Sequence, residues 1–182
     1  WFRVPQPDVG RMKGRLTISS AVRGYKEMLA ERQIRAAAMA YFTMFLSVSL
    51  FIVYLPYWLE QTLNATPNAI ATLFMVGGVA NVLTGPQAGK LSDRIGRKRI
   101  IILSCVGLSL VMLMTTVVIR EFWIAYILYF VTMILVAMRI SPFSALLTAL
   151  VNDERRGALM SFTVALGQAG FALGAAVAGP LY

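Results

Sequence analysis

Apolar residues in this chain fall in long uncharged blocks separated by short polar ones. No charged residue lies between Arg35 and Glu60, between Glu60 and Lys90, between Arg99 and Arg120, or after Arg156. A helix that crosses a bilayer needs about 20 mostly apolar residues. Five segments satisfy that requirement: 36–58, 69–88, 100–119, 122–151 and 158 to the end of the chain. The fourth is interrupted by Arg139 and Pro142. The pattern predicts an all-α, polytopic membrane helix bundle of about five transmembrane helices. The expected connections are short, at 59–67, 89–99, 120–121 and 152–157. Short loops leave little backbone outside helices, as hydrocarbon requires.

The first 35 residues read differently. Trp1 to Pro7 resembles a helix leaving the membrane and stopping at prolines. From about Ser20, Val22, Tyr25, Met28 and Leu29 recur at helical spacing, with charged residues between them. This predicts an amphipathic helix on the membrane surface that runs into the first span. The chain therefore divides into a basic cytoplasmic linker with an interfacial helix, 1–35, and a transmembrane half-domain, 36–182.

Composition agrees with lipid as the solvent. The chain is 58% hydrophobic and 14% charged, with a mean hydropathy of +0.71, whereas soluble domains sit near 45–50% apolar. The formal net charge is +9. Eight basic and three acidic residues fall in 1–35, and five basic and one acidic in 89–99; the remainder sums to zero. Basic residues gathered at span ends follow the positive-inside rule and put the arm and the 89–99 segment in the cytoplasm. Trp58, Tyr57, Phe122 and Trp123 mark the outer interface.

The same placement excludes several functions. No aromatic-basic platform accompanies the charge, so no nucleic-acid partner is expected. The chain has no histidine and one cysteine, Cys105, which excludes a Ser-His-Asp triad and a His/Cys zinc site built from this chain. No span contains Asp or Glu, and neither a cofactor nor a metal is implied. An enzyme is not expected. The start at Trp1 rather than Met, without a signal-peptide layout, reads as a piece of a longer polypeptide.

The most specific signal is Gly89-Lys90-Leu91-Ser92-Asp93-Arg94-Ile95-Gly96-Arg97-Lys98-Arg99, set between two apolar segments. Its G-x-L-S-D-R-x-G-R-K spacing resembles the loop signature of the major facilitator superfamily of transporters. Gly89 permits close helix contact, Gly96 a tight reversal, and Arg97, Lys98 and Arg99 an anchor at anionic headgroups. The resemblance implies a conformational latch built from Gly89, Asp93, Arg94, Gly96, Arg97 and Lys98. In it Asp93 would hold a neighbouring helix start or an arginine in one state and release it in the other. Such a latch needs two packings that differ by only a few kcal/mol.

A second stretch, Ser141-Pro142-Phe143-Ser144 followed by Asn152-Asp153-Glu154-Arg155-Arg156-Gly157, is similar to the family's fourth-to-fifth or tenth-to-eleventh helix junction. Pro142, Arg156 and Gly157 carry that likeness. A third, Gly167 to Gly174 ending in Gly179-Pro180, partly resembles an exchanger motif; small residues at this spacing also serve close helix packing. Complete members have two six-helix halves around a central cavity. The first-half pattern puts an arginine well before the junction proline. Phe130 stands near that spacing here, and Arg139 lies three residues before Pro142. This favours the second half, with the other half of the transporter as a missing partner.

Arg139 is the single charge inside a span. Such a residue is a candidate site by default, and the resemblance implies that its helix lines the cavity. It either meets an anionic group there or, about 25 Å along the helix, snorkels to the inner interface. Asn81 and Gln168 either face the cavity or bond across helices; Tyr41 is a further cavity candidate.

The resemblance implies secondary active transport of a small solute by alternating access in a bacterial inner membrane, surrounded by lipid. Aromatic-rich spans add efflux of drug-like or amphipathic compounds as an expectation. The rival reading is a truncated, non-transporting membrane interaction protein or relic.

Overall fold

The computed structural model describes residues 18–179. The expected membrane exit at 1–7, the rest of the arm to residue 17, and Pro180 lie outside the described residues. Six helices follow in order: α1 (Ile18–Ala30), α2 (Arg32–Leu63), α3 (Pro67–Ile95), α4 (Arg97–Val118), α5 (Phe122–Ala149) and α6 (Asp153–Ala178). The described residues contain no strand. Five of the helices, α2 to α6, are long and apolar enough to cross a membrane.

The helices alternate in direction, so one end of the bundle gathers the starts of α2, α4 and α6 with the ends of α3 and α5. This is the basic end. Lys90, Arg94, Arg97, Lys98, Arg99, Arg155 and Arg156 belong to it. Glu60, Arg120 and Glu121 mark the opposite end.

The helices extend beyond the expected spans because polar residues at their ends still satisfy their main-chain groups within the helix. The 89–99 segment is not a loop. Gly89–Ile95 continues α3, and a single residue, Gly96, separates α3 from α4. The 152–157 segment is likewise mostly helix, since α6 begins at Asp153. Pro142 does not interrupt the fourth span: α5 runs through it to Ala149, with neighbouring helices packed around it. The 59–67 connection shrinks to 64–66. Asn64 takes a left-handed conformation (φ 49°) at the end of α2, Thr66 accepts the Ala69 N–H, and Pro67 opens α3.

Two helix groups build the bundle. α2 packs along α6, and α3 and α4 both pack against α5. Glycines make the first seam: a Cβ at Gly170 would lie 2.6 Å from the Phe42 carbonyl oxygen, and one at Gly174 2.7 Å from that of Leu46. The Ser49 hydroxyl donates to the Phe171 carbonyl at 2.6 Å across the same seam. Without a hydrophobic force between helices in lipid, this close approach is what holds a pair together. It accounts for the Gly167–Gly174 pattern as packing.

On α3, Leu73, Gly77, Ala80, Ala88 and Ser92 are buried and fall on one helix face, at steps of four, three, eight and four residues. A Cβ at Gly77 would overlap the Tyr129 ring of α5. Val48, Leu108 and Val136 join α2, α4 and α5 in mid-bundle. The outer surface is apolar, with Val82 75% and Leu113 74% exposed, which lipid tolerates and water does not.

The expected surface helix is present as α1, separated from α2 by Glu31 alone. It does not lie free on the surface. Met28 is buried against the bundle, the Tyr25 and Phe162 rings stand 5.7 Å apart, and Glu27 faces Arg155 at 3.8 Å.

Candidate functional site: the basic end and the α2–α5 core

The α3–α4 joint is built on one backbone conformation. Gly96 has φ 104°, which L-residues rarely adopt, and its N–H donates to the Ser92 carbonyl at 2.9 Å. One residue thus reverses the chain without leaving the helical hydrogen-bond ladder. It sets Asp93, one turn before, beside Arg97, the first residue of α4. Arg97 Nη2 and Asp93 Oδ1 are 3.5 Å apart, at an exposed position. Arg97 Nη1 donates to the Ala145 carbonyl of α5 at 3.1 Å. A single guanidinium therefore ties the acid of α3 to the last turns of α5.

Small residues let these helices meet. The Gly89 Cβ position is 3.3 Å from the Ser141 hydroxyl, and Ser92, 2% exposed, donates to the Gly89 carbonyl at 2.7 Å. Arg94 and Lys98 are exposed and take no part in the hydrogen bonds or the ion pair of this contact set. Ser141 and Ala145 are the participants that sequence reasoning missed. Ser141 stood in the junction motif only as the residue before Pro142, and the one signal of Ala145 was its smallness.

Arg139 is buried inside the bundle, 5% exposed. Its Nη2 donates to the Met44 carbonyl of α2 at 3.0 Å, with Cys105 of α4 beside it. It lies about 15 Å, or ten residues, from the end of α5, and does not snorkel. The helix pair α2–α5 traps it because Val48 and Val136 pack deeper and Tyr41 and Phe143 pack shallower.

Tyr41 is also buried. Its ring lies 4.7 Å from Phe45 and 5.5 Å from Phe143, and the flat face of Gly167 makes room for it. Tyr41, Phe45, Phe143 and Arg139 line one small pocket between α2 and α5, of about 30 Å³. Asn81 is half-buried on α3, and Gln168 is exposed on α6. The fold does not bring either of them to that pocket. At the other junction, Pro142 is fully buried in α5, and Arg156 and Gly157 are exposed in the first turns of α6.

A sequence profile described as Major Facilitator Superfamily matches residues 37–182, about four-fifths of the chain. The chain belongs to the major facilitator superfamily. The comparison with curated proteins returns no match. Membership accounts for the five long apolar helices and makes the chain part of an integral membrane transporter. The matched region starts inside α2, so α1 precedes it.

Proposed function

We propose that this chain forms the second half of a secondary active transporter that moves a small solute by alternating access, and that the α3–α4–α5 contact at the basic end is its latch. The carrying observation is the shared guanidinium of Arg97, placed between the Asp93 carboxylate and the Ala145 carbonyl. Such a contact suits a latch for two reasons. An exposed ion pair is worth only about 0.2–1 kcal/mol, so it can break in each cycle. It also touches three helices, so its making and breaking acts on all three at their cytoplasmic ends in this reading.

The basic end faces the cytoplasm of a bacterial inner membrane in this reading, because excess Lys and Arg there follow the positive-inside rule. The solute meets α2 and α5, with Arg139 and Tyr41 near the path. The ring cluster of Tyr41, Phe45 and Phe143 favours an amphipathic or drug-like solute, and efflux is the direction this reading adopts.

Asp93→Asn in the full-length transporter tests the latch. Flux in proteoliposomes should fall by up to about fivefold, the equivalent of about 1 kcal/mol, while purified yield and unfolding temperature hold. Wild-type flux in the variant would sink the latch. No flux of any tested solute by the wild-type protein, with folding intact, would favour the non-transporting interaction protein.

A further inference from the structure

In the last two turns of α1, over residues 24–30, Met28 is the one buried side chain, 2% exposed. It belongs to an apolar cluster with Ile34 and Tyr41 of α2, Phe143 and Leu147 of α5, and Leu159 of α6. Ile34 and Leu147 lie within one turn of their helix ends, and Tyr41 and Phe143 lie deeper. Tyr41 and Phe143 also line the small pocket beside Arg139. The cluster thus fills the way from that pocket to the basic end. Met28 is its one buried member that does not come from a membrane-crossing helix.

The attachment of α1 is shallow. A helix of 13 residues is marginal by itself in water, so contacts with the bundle hold it. Arg155, Leu159 and Phe162 fall on one face of α6, at steps of four and three residues. Glu27 faces Arg155 at 3.8 Å, with both side chains more than half exposed, so the pair adds little. The Tyr25 ring stands 5.7 Å from that of Phe162. The joint to α2 is Glu31 alone, in an extended conformation (φ -71°, ψ 122°). Rotation about this one residue swings α1 as a rigid arm. The α2–α6 seam below it is different in kind, because there glycines bring one helix against the main chain of the other.

We propose that α1 is a movable plug over the cytoplasmic end of the α2–α5 core. Docked, as here, Met28 completes the apolar seal between Tyr41 and the cytoplasm. Swung away about Glu31, α1 opens that end to the solute. This role rests on the cytoplasmic placement of the basic end and on the solute path past Tyr41 proposed above. It is separate from the Asp93–Arg97 latch, which acts on α3, α4 and α5, whereas the plug acts on α2 and α6. Few contacts hold the docked state, so a modest difference in affinity between docked and released states moves the population.

The test uses the full-length transporter with its other cysteines, Cys105 included, replaced by serine and a single reporter, Leu159→Cys. That site is 0% exposed and lies between the two α6 residues that α1 touches. In detergent the reporter should react slowly with a charged methanethiosulfonate. Met28→Ala should speed the reaction by about tenfold, in line with the burial of one methionine. Leu73→Cys, equally buried near the opposite end of the bundle, should stay slow in the same variant. Glu27→Arg, a surface change that leaves the core packed, should speed Leu159→Cys by up to about fivefold, and Glu27→Arg/Arg155→Glu should restore the slow rate. Lys26→Gln, exposed on α1, should change nothing. In proteoliposomes, joining Tyr25→Cys to Phe162→Cys with a short cleavable thiol crosslinker should stop flux, and cleavage should restore it. Each single cysteine treated alike should keep its flux.

A Leu159→Cys rate that neither Met28→Ala nor Glu27→Arg changes would overturn the plug. Equal acceleration at Leu73→Cys would overturn it too, since α1 would then be ordinary core whose loss loosens the whole bundle. Full flux with α1 tied to α6 would show that α1 stays docked through the cycle, and that also defeats it. A wild-type protein that moves no tested solute counts against the transport reading alone, and the labelling rates in detergent then decide the plug.

Discussion

Arg139 and Met44 are 95 residues apart in sequence and joined by one hydrogen bond, from the guanidinium Nη2 to the main-chain carbonyl, at 3.0 Å. The bond fastens α5 to α2, beside the Tyr41–Phe143 ring contact and the Val48–Val136 cluster that join the same two helices. It also changes what the buried charge is for. A guanidinium in lipid is expensive unless its donors are met, and here a helix carbonyl meets one of them inside the bundle.

Arg139→Ala should therefore destabilise the fold. It empties a long side chain from a packed site and loses the tie to α2. By analogy with other large-to-small core changes the cost is about 2–5 kcal/mol. The unfolding temperature in detergent should drop clearly, and Arg139→Lys should recover part of it. An unchanged temperature together with lost solute binding would make Arg139 a pure ligand-binding residue.

The α2–α6 seam gives the sharpest packing test. A methyl at Gly170 meets main-chain oxygen at 2.6 Å, and main chain cannot rotate aside as a side chain can. Gly170→Ala should cost about 1–3 kcal/mol despite its better helix propensity. Ala172→Leu, on the exposed face of the same helix, should cost nearly nothing. Thermal unfolding of the two variants side by side decides the matter; equal stability would mean that the seam is looser than described.

Gly96 makes a different demand, because its Cβ position is open and only its φ of 104° is restrictive. Gly96→Ala should cost about 1–3 kcal/mol with no steric clash. The measurement is again the unfolding temperature, with the exposed Gly157→Ala as the control. A neutral Gly96→Ala would show that the α3–α4 joint tolerates another geometry.

Sidedness can be read with a single thiol. In a Cys105→Ser background, Lys98→Cys should react with a membrane-impermeant maleimide only after cells are opened, and Glu60→Cys should react in intact cells. The opposite pattern would invert the proposed orientation.

The outline of this fold was written in the spacing of apolar and charged residues. Uncharged runs longer than a bilayer crossing read as membrane helices, because a helix satisfies its own main chain in lipid and a barrel strand needs only about 10 residues. The five helices appeared where those runs did, and the Gly89–Arg99 spacing was enough to indicate the family that the profile match shows. Helix ends were misjudged for a definite reason. Apolarity reports where lipid is, while a helix continues as long as its own hydrogen bonds do, so the basic segment was helical up to Gly96 and again from Arg97.

The contacts at the candidate site were not legible in the same way. Nothing in the order of residues joins Arg97 to Ala145 or Arg139 to Met44. Those pairings depend on which helix lies beside which and at what height, and that is decided by glycine and alanine stripes meeting rings and carbonyls on other helices. By itself the sequence determined the solvent, the number of spans and the family. Only the tertiary structure decided that Arg139 turns inward to a carbonyl, that Arg97 bridges three helices, and that α1 docks on the bundle through Met28. Burial and pairing are properties of neighbours, and neighbours far apart in sequence are chosen by packing.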